Sequence, residues 1–329
     1  MAVLPLSTGT GAPPRNPAAS GDGRTPPPDR STVRKGRRWR RRLRENLIGH
    51  AFLVGAVACF VFFAWFPMVR EIVMSFQRTR RGVTRWVGWE NYQRIWDDPA
   101  FGAAWRNTLL FTLLALVFGF ALPYLIAIVL NELRHAQGFL RVVVYLPVIL
   151  PPAAGLMLFK YLYLPDDSGI LNYVLTHLGL PSSQFTQDPT TTVPALVVAS
   201  TWLNMGSAVL VYLAALQNIP GELYESAEIE GAGLLRRVWH VTIPQTRLVL
   251  SLMFLIQVVA TMQLFIEPLI LAGGNGVQDS ATSLVYLMYQ HAFLLNDLGG
   301  AAALGVMLML VLLVFSGLYV WLTPKQEEL

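Results

Sequence analysis

The chain has 329 residues, of which 54% are hydrophobic and only 14% are charged, and its formal net charge is +5. That apolar share exceeds what one water-soluble domain of this length needs for its core, so the composition excludes an ordinary soluble enzyme and indicates a membrane protein. The single cysteine and five scattered histidines show no spacing that suits a disulfide framework or a metal site.

The first 46 residues are expected to form a disordered, basic cytoplasmic tail. Residues 1–33 are rich in Pro, Gly, Ser and Thr, a composition that cannot bury enough apolar surface to fold. Eight Lys and Arg residues then lie within 34–44, directly before an apolar run. Such a cluster is compatible with nucleic-acid binding, but beside a membrane span it holds the cytoplasmic end against anionic lipid, and we favour that interpretation.

Six long windows without charged residues follow, and each supplies roughly 17–25 residues for a helix that crosses a bilayer core. They are 46–69, 107–131, 142–159, 189–221, 248–266 and 298–324. The predicted fold is therefore all-α, a polytopic membrane protein with six transmembrane helices over 47–324 and a short tail, 325–329.

Two further uncharged windows compete with these six. Residues 168–187 are too polar for lipid and predict an exposed loop with a short amphipathic helix. Residues 280–296 mix apolar and polar side chains and suit a helix that lies at the membrane interface, with a seventh span as the alternative.

Positive charge orients the predicted spans. With the N-terminus inside, six spans return the C-terminus to the cytoplasm and place 132–141, 222–247 and 325–329 there. The segment 70–106 disagrees, because this topology places it outside although it contains seven arginines: Arg70, Arg78, Arg80, Arg81, Arg85, Arg94 and Arg106. The denser N-terminal cluster decides the orientation, and the arginine-rich segment stays unexplained by the sequence.

The loop 222–247 is short and charged, yet it lies between two of the most apolar stretches of the chain. Residues 224–229 favour a helix, Gly231 permits a sharp joint, and 234–239 favour a second short helix before Pro244 starts the next span. A helix-turn-helix of this kind is suited to insertion into a partner's groove. A solvated connecting loop is the alternative, since charge in a cytoplasmic loop is ordinary.

The stretch ESAEIEGAGLLRRVWHVTIP resembles the EAA motif of the permease subunits of binding-protein-dependent ABC importers. The residues that carry the resemblance, or replace the motif's residue conservatively, are Glu225, Ala227, Glu230, Gly231, Ala232 and Pro244. Ser226, Glu230 and Val241 depart mildly from the usual motif. The stretches VGWENYQRIWDDPAF, ALQNIP, LAGG and LGGAAALGVML are similar to the carbohydrate branch, of maltose and glycerol-phosphate type.

This resemblance implies the type I ABC importer permease fold in the cytoplasmic membrane of a prokaryote. It implies a second permease as heterodimer partner, an ATPase dimer that binds ATP and Mg, an extracytoplasmic solute-binding protein, surrounding lipid and a sugar or polyol as substrate. The six motif residues would couple the permease to the ATPase. No cofactor and no nucleic acid would bind this chain.

Polar residues inside the spans are candidates for the substrate path, since polar groups in lipid usually face a bundle interior or cavity. Ser200, Leu203, Asn204 and Ser207 share a face of the fourth span, and Gln257, Thr261 and Leu264 share a face of the fifth. Their positions resemble those that line the sugar site of the maltose-type permease, and Trp202 could add a stacking face. The alternative is that they bond neighbouring helices. Gln263 and Glu267 are expected to face elsewhere or lie near the outer rim, Glu267 as a gate, a lip contact or a solvated acid.

The two alternative functions are a stand-alone ion-coupled secondary transporter and an enzyme. A stand-alone ion-coupled secondary transporter predicts internal repeats and ionisable residues deep in the spans, and the sequence shows neither. An enzyme would need a catalytic cluster, and ATP hydrolysis a Walker A lysine followed by Ser or Thr. The three lysines, Lys35, Lys160 and Lys325, are followed by Gly, Tyr and Gln, so the chain is predicted to be a non-catalytic transport subunit.

Overall fold

The structure is a computed structural model that describes residues 50, 52–80, 82–133, 137–166 and 168–323. The basic tail 1–46 and the C-terminal tail 325–329 lie outside the described residues. Contacts divide the chain into two units, Met1–Ala64 and Trp65–Leu329. In the first unit, the described residues 52–64 are helical and their side chains are exposed. The architecture below belongs to the second unit, except that the first long helix begins in the first unit.

Five helices of the described chain are long and apolar enough to cross a membrane, and a bent helix pair raises the number to six. The long helices are α1 (Phe52–Ser75), α3 (Pro99–Glu132), α7 (Thr192–Gln217), α9 (Leu234–Thr261) and α12 (Leu298–Leu322). The bent pair is α4 (Gln137–Ile149) and α5 (Pro152–Leu162). The five long helices fall on five of the six apolar windows because helix length in lipid is set by local hydrophobicity.

The third predicted span is broken, where the sequence predicted one uninterrupted helix over 142–159. Its two halves meet at an angle of 96°. Pro151 is extended (φ −54°, ψ 130°) and Pro152 opens α5. Proline has no backbone N–H to continue a helix, and the residue before a proline is driven to extended backbone, so a Pro-Pro pair ends one helix and starts another.

The fifth predicted span also differs from the expectation for 248–266. The helix α9 starts at Leu234, so the second arm of the charged loop and the span are one helix. A π-helical segment, Val238–Thr242, lies directly before Pro244, where proline cannot donate a helical hydrogen bond. At the other end α9 stops at Thr261, and a separate short helix, α10 (Ile266–Leu271), follows.

A two-stranded hairpin follows α1 and was missing from the all-α prediction. Strand β1 (Gln77–Arg80) pairs antiparallel with β2 (Val83–Trp86), with Thr79 opposite Thr84. Gly82 at the turn has φ +78°, a backbone region that glycine adopts readily. The hairpin leads into α2 (Glu90–Trp96).

The shorter helices complete the chain: α6 (Ile170–His177), α8 (Gly221–Ile229) and α11 (Leu284–Tyr289). The short helix expected within 168–187 is present as α6. The 280–296 segment differs from the expected interfacial helix, because Leu284, Tyr286 and Leu287 of α11 are buried. Leu284 and Leu287 pack in a core cluster with α3 and α12, so α11 is an internal part of the bundle, whereas Phe293, Leu294 and Leu295 that follow it are exposed.

Helix α7 is the central element of the second unit. It contacts α3, α4, α5, α9 and α10. Gly206 of α7 allows α4 to approach closely, since a Cβ placed there would lie 2.5 Å from Val144 O and 2.9 Å from Tyr145 Cα of α4. Small residues permit such close helix packing inside membranes.

Candidate functional site

The loop between α7 and α9 forms a helix-turn-helix. Its first arm, α8, ends at Ile229 with Glu230 as its C-cap, and Gly231 follows with φ +78°. The N–H of Gly231 donates to Glu228 O (2.9 Å) and the N–H of Ala232 donates to Ala227 O (2.9 Å), the pair of bonds that defines a Schellman helix end. Gly231 therefore makes the joint expected from the sequence, and Ala227 and Ala232 contribute their backbone to it.

Two side-chain contacts join the arms of the helix-turn-helix. Arg237 forms an ion pair with Glu228. Tyr224 Oη lies 3.1 Å from Thr242 Oγ1, within hydrogen-bond distance. These contacts span the turn, so the two arms are held as one unit and are more than a loose solvated loop.

The surface of this unit is exposed and partly apolar. Glu225 is exposed on α8, and three large apolar side chains expose most of their surface: Ile229 (88%), Leu235 (84%) and Trp239 (70%). Pro244 lies in α9 just beyond the π-helical segment. Apolar side chains this exposed, beside charged ones, are characteristic of an interaction surface.

A cavity of about 390 Å³ lies among α3, α7, α9 and α10. That volume is within the range of small-molecule sites, about 300–1,000 Å³. Its polar lining consists of hydroxyls, amides and one carboxyl: Ser200, Thr201, Asn204, Gln257, Thr261, Gln263 and Glu267. Leu264 also lines it.

Five of the seven residues predicted for the substrate path therefore line this cavity, and Leu203 and Ser207 do not. The lining residues of α7 run from Ser200 to Ala208, and at 3.6 residues per turn Leu203 and Ser207 lie roughly a quarter turn or more from the centre of that arc. Leu203 is buried in a core cluster. Trp202, a candidate stacking face, packs edge-on against Phe159 at a ring distance of 5.4 Å.

The side chain of Gln257 contacts the start of the π-helical segment Leu116–Ala121 of α3. Gln257 Nε2 donates to Ala115 O at 3.3 Å, at the residue where the regular helix gives way to the π-helix. A Cβ on Gly119 would lie 2.7 Å from the same nitrogen. Gln257 thus both bonds a neighbouring helix and lines the cavity.

Glu267 and Gln263 line the same cavity, whereas their sequence positions predicted that they face elsewhere or lie near the outer rim. The reason is the break after Thr261, which lets α10 turn back toward α7. Ser200 Oγ donates to Glu267 Oε1 at 2.9 Å. The sequence hint was Glu267-Pro268 after an apolar run, since proline favours the first turn of a new helix.

A second polar cluster joins α2 to the start of α12. Arg94 Nη1 donates to Asp297 Oδ2 at 2.7 Å, and His291 Nδ1 lies 3.3 Å from the same oxygen. His291 Nε2 lies 3.4 Å from Asp98 Oδ2. Burial opposes ionisation of Asp297, but hydrogen bonds from His291 and Arg94 outweigh it and hold its pKa well below the usual range. Two arginines of the arginine-rich segment therefore have acidic partners: Arg94 pairs with Asp297, and Arg78 pairs with Glu90 at 2.6 Å.

These features define a class of protein: a polytopic helical membrane protein with a polar cavity between its helices and a helix-turn-helix whose arms are joined by side-chain contacts, which is the architecture of a transport permease. Residues 119–328 match the family model of the binding-protein-dependent transport system inner membrane component. The chain belongs to this family.

Relatives and a solved structure agree with that assignment. The chain is 30% identical over 280 residues to the arabinooligosaccharides transport system permease protein AraP of Halalkalibacterium halodurans, covering 85% of this chain and 88% of AraP. It is also 30% identical to the lactose transport system permease protein LacF of Rhizobium radiobacter, over 85% of this chain and 95% of LacF. Its fold matches a chain of a bacterial ABC transporter involved in the import of the acidic polysaccharide alginate, with a TM-score of 0.75 and 24% identity over 87% of this chain and 100% of that one.

The family membership settles the general function. The chain is a multi-pass permease subunit of an ABC importer with the ABC importer permease fold, and it is a transport component that catalyses no covalent change. The comparisons give no support to the stand-alone secondary transporter.

Proposed function

We propose that this chain imports a carbohydrate or related polyol by alternating access, as one permease of a heterodimer. The second permease, an ATPase dimer with bound ATP and Mg, and an extracytoplasmic solute-binding protein complete the transporter. The chain lies in the cytoplasmic membrane of a prokaryote with both termini inside. The similarity to AraP and LacF over 85% of the chain supports the substrate class.

The cavity supports the same substrate class. Amide and hydroxyl groups exchange hydrogen bonds with sugar hydroxyls, and the lining offers such groups from α7, α9 and the start of α10. Ser200, Asn204, Gln257, Thr261 and Leu264 are therefore the substrate-path residues that we retain. Leu203 packs in the neighbouring core cluster, and Ser207 does not line the cavity.

The helix-turn-helix is the proposed coupling element. Its arms are joined by the Arg237–Glu228 ion pair. The second arm is continuous with α9, which reaches the cavity, so a displacement of the exposed turn would be transmitted to the cavity. Glu225 would pair with a basic residue of the ATPase, and the exposed Ile229 and Leu235 would enter its groove. Glu230, Gly231, Ala232 and Ala227 fix the turn that presents them, and Pro244 marks the point where the arm becomes the span.

Glu225→Lys tests this proposal in the reconstituted importer, with ATPase activity measured in the presence of loaded solute-binding protein. We expect stimulation by the binding protein to fall about tenfold or more, because a like charge replaces an attractive one at a docking contact. Glu222→Lys makes the same charge change three residues earlier on α8 and is expected to retain most of the stimulation.

The opposite outcome is equally clear. Wild-type stimulation in Glu225→Lys would contradict the coupling role. Sugar uptake by proteoliposomes that contain the permeases and no ATPase, driven by an ion gradient, would contradict the importer assembly.

A further inference from the structure

The lining of the cavity contains an acidic side chain and no basic one. Among the sixteen residues that line it, all of them described, Glu267 is the single ionisable group, and none is Lys, Arg or His. The other polar members are neutral hydroxyls and amides. A ligand in this cavity therefore meets one carboxyl group from this chain and no cation.

Glu267 is positioned by the fold. The break between α9 and α10 brings it opposite Ser200 of α7, whose hydroxyl donates to Oε1 at 2.9 Å. The residue is only partly exposed and lines the cavity. A cation in the cavity therefore favours its carboxylate form, and an anion in the cavity disfavours it.

This arrangement discriminates between sugars by charge. A carboxyl oxygen accepts hydrogen bonds from sugar hydroxyls, and an ionised carboxylate binds the ammonium group of an amino sugar more strongly still. The carboxylate of a uronic acid has no cationic partner in the lining, and leaving a charged group without a partner in a cavity costs binding free energy. A like charge on Glu267 adds repulsion.

We infer that Glu267 is a specificity-determining residue that selects neutral and amino sugars and rejects uronic acids. This inference rests on the proposed function, in which the cavity lies on the substrate path. It is independent of the alginate transporter's own substrate, since at 24% identity that structure shares only the fold.

The test compares three disaccharides with one β-1,4 glucose skeleton: cellobiose (neutral), cellobiouronate (one carboxylate) and the fully deacetylated glucosamine disaccharide (cationic). Binding to the reconstituted complex of the two permeases and the ATPase dimer, without the solute-binding protein, is measured by saturation-transfer-difference NMR, which detects weak binding and needs no ATP. We expect the wild type to bind cellobiouronate about tenfold more weakly than cellobiose, and the amino sugar at least as well as cellobiose.

Matched variants isolate the effect of Glu267. In Glu267→Gln the difference between cellobiose and cellobiouronate should fall below about twofold, while Glu267→Asp, which keeps the charge, should retain the wild-type ratio. Glu71→Gln makes the same chemical change at an acid of α1 that lies outside this cavity, in the groove beside Met288 and Gly305, and should also retain it.

Two outcomes overturn different claims. Equal binding of cellobiose and cellobiouronate by the wild type, or an unchanged ratio in Glu267→Gln, contradicts the role of Glu267 while leaving the cavity as the sugar site. Absence of binding by all three probes contradicts the proposed substrate path itself.

Discussion

Buried polar side chains fix the hairpin segment to the bundle. Asn91 is fully buried, and its Nδ2 donates to Ser75 O and Gln77 O, each at 2.8 Å. Its Oδ1 accepts from Arg94 Nη2, and Arg94 in turn reaches Asp297. This chain of bonds connects the end of α1 to the start of α12, so Arg94 has a structural role in the arginine-rich segment.

The ionisation of Asp297 is expected to make the stability of the folded protein depend on pH. Because its pKa is held well below the usual value in the folded protein, its ionised form contributes stability above the ordinary pKa of about 4, and this contribution is lost as pH falls toward the folded-state pKa. Asp297→Asn should lower the thermal midpoint of the purified protein at pH 7, at a cost of about 1–3 kcal/mol from the broken charged hydrogen bonds.

The measurement is a thermal unfolding series from pH 7 down to pH 3 on wild type and Asp297→Asn. The difference between them should shrink as pH falls below about 4. Asp97→Asn removes an exposed neighbouring acid and should leave the midpoint unchanged. A difference that grows toward low pH would show that the sign of this linkage is wrong.

At the scale of elements, the contact between α4 and α7 decides where the broken span lies. Pro151 and Pro152 create the break, but the direction of α4 is set by its packing on Gly206, where the Cβ of any other residue would meet backbone atoms of Val144 and Tyr145. A side chain can rotate away from a clash, whereas backbone cannot move without displacing the helix. This contact should therefore tolerate no larger residue.

Gly206→Leu should destabilise the protein by about 1–3 kcal/mol, the usual cost of overpacking a close contact. A lower thermal midpoint and a smaller yield of monodisperse protein after detergent extraction would report it. Gly138→Ala, at a glycine of α4 with open space around its Cα, serves as the control and should behave as wild type. Unaltered stability of Gly206→Leu would mean that α4 and α7 do not approach so closely.

At the scale of the whole molecule, the open question is the side on which the arginine-rich segment lies. The proposed topology places α2 outside and the end of α3 inside. Cys59 is the sole cysteine, so a Cys59→Ser background permits single-cysteine labelling at exposed positions on either side. Gln93 of α2 and Glu132 of α3 are both exposed.

We expect Gln93→Cys to react with a membrane-impermeant maleimide in intact spheroplasts, and Glu132→Cys to react only after permeabilisation. The two variants control for each other, since permeabilised cells should label both. The reverse pattern would invert the topology and place the helix-turn-helix on the side opposite to the ATPase, which would also contradict the coupling proposal.

The sequence by itself determined the features that depend on neighbouring residues along the chain. The apolar windows located the five long helices, and the predicted number of six is reached when the bent pair counts as one span, because crossing a bilayer depends on a run of consecutive side chains. The Gly231 joint was equally predictable, since a left-handed residue at a helix end favours glycine whatever lies around it. The short helix α6 also followed from composition.

Only the tertiary structure decided how distant segments meet. Arg94 bonds Asp297, 203 positions away, and no local pattern pairs them. Ser200 and Glu267 meet in the cavity because the helix breaks after Thr261. The sequence did not predict this break, since Met262, Leu264, Phe265 and Ile266 are equally hydrophobic in a straight span and in a broken one. Hydrophobicity fixes which residues leave water, whereas long-range packing and hydrogen bonding determine which of them face one another.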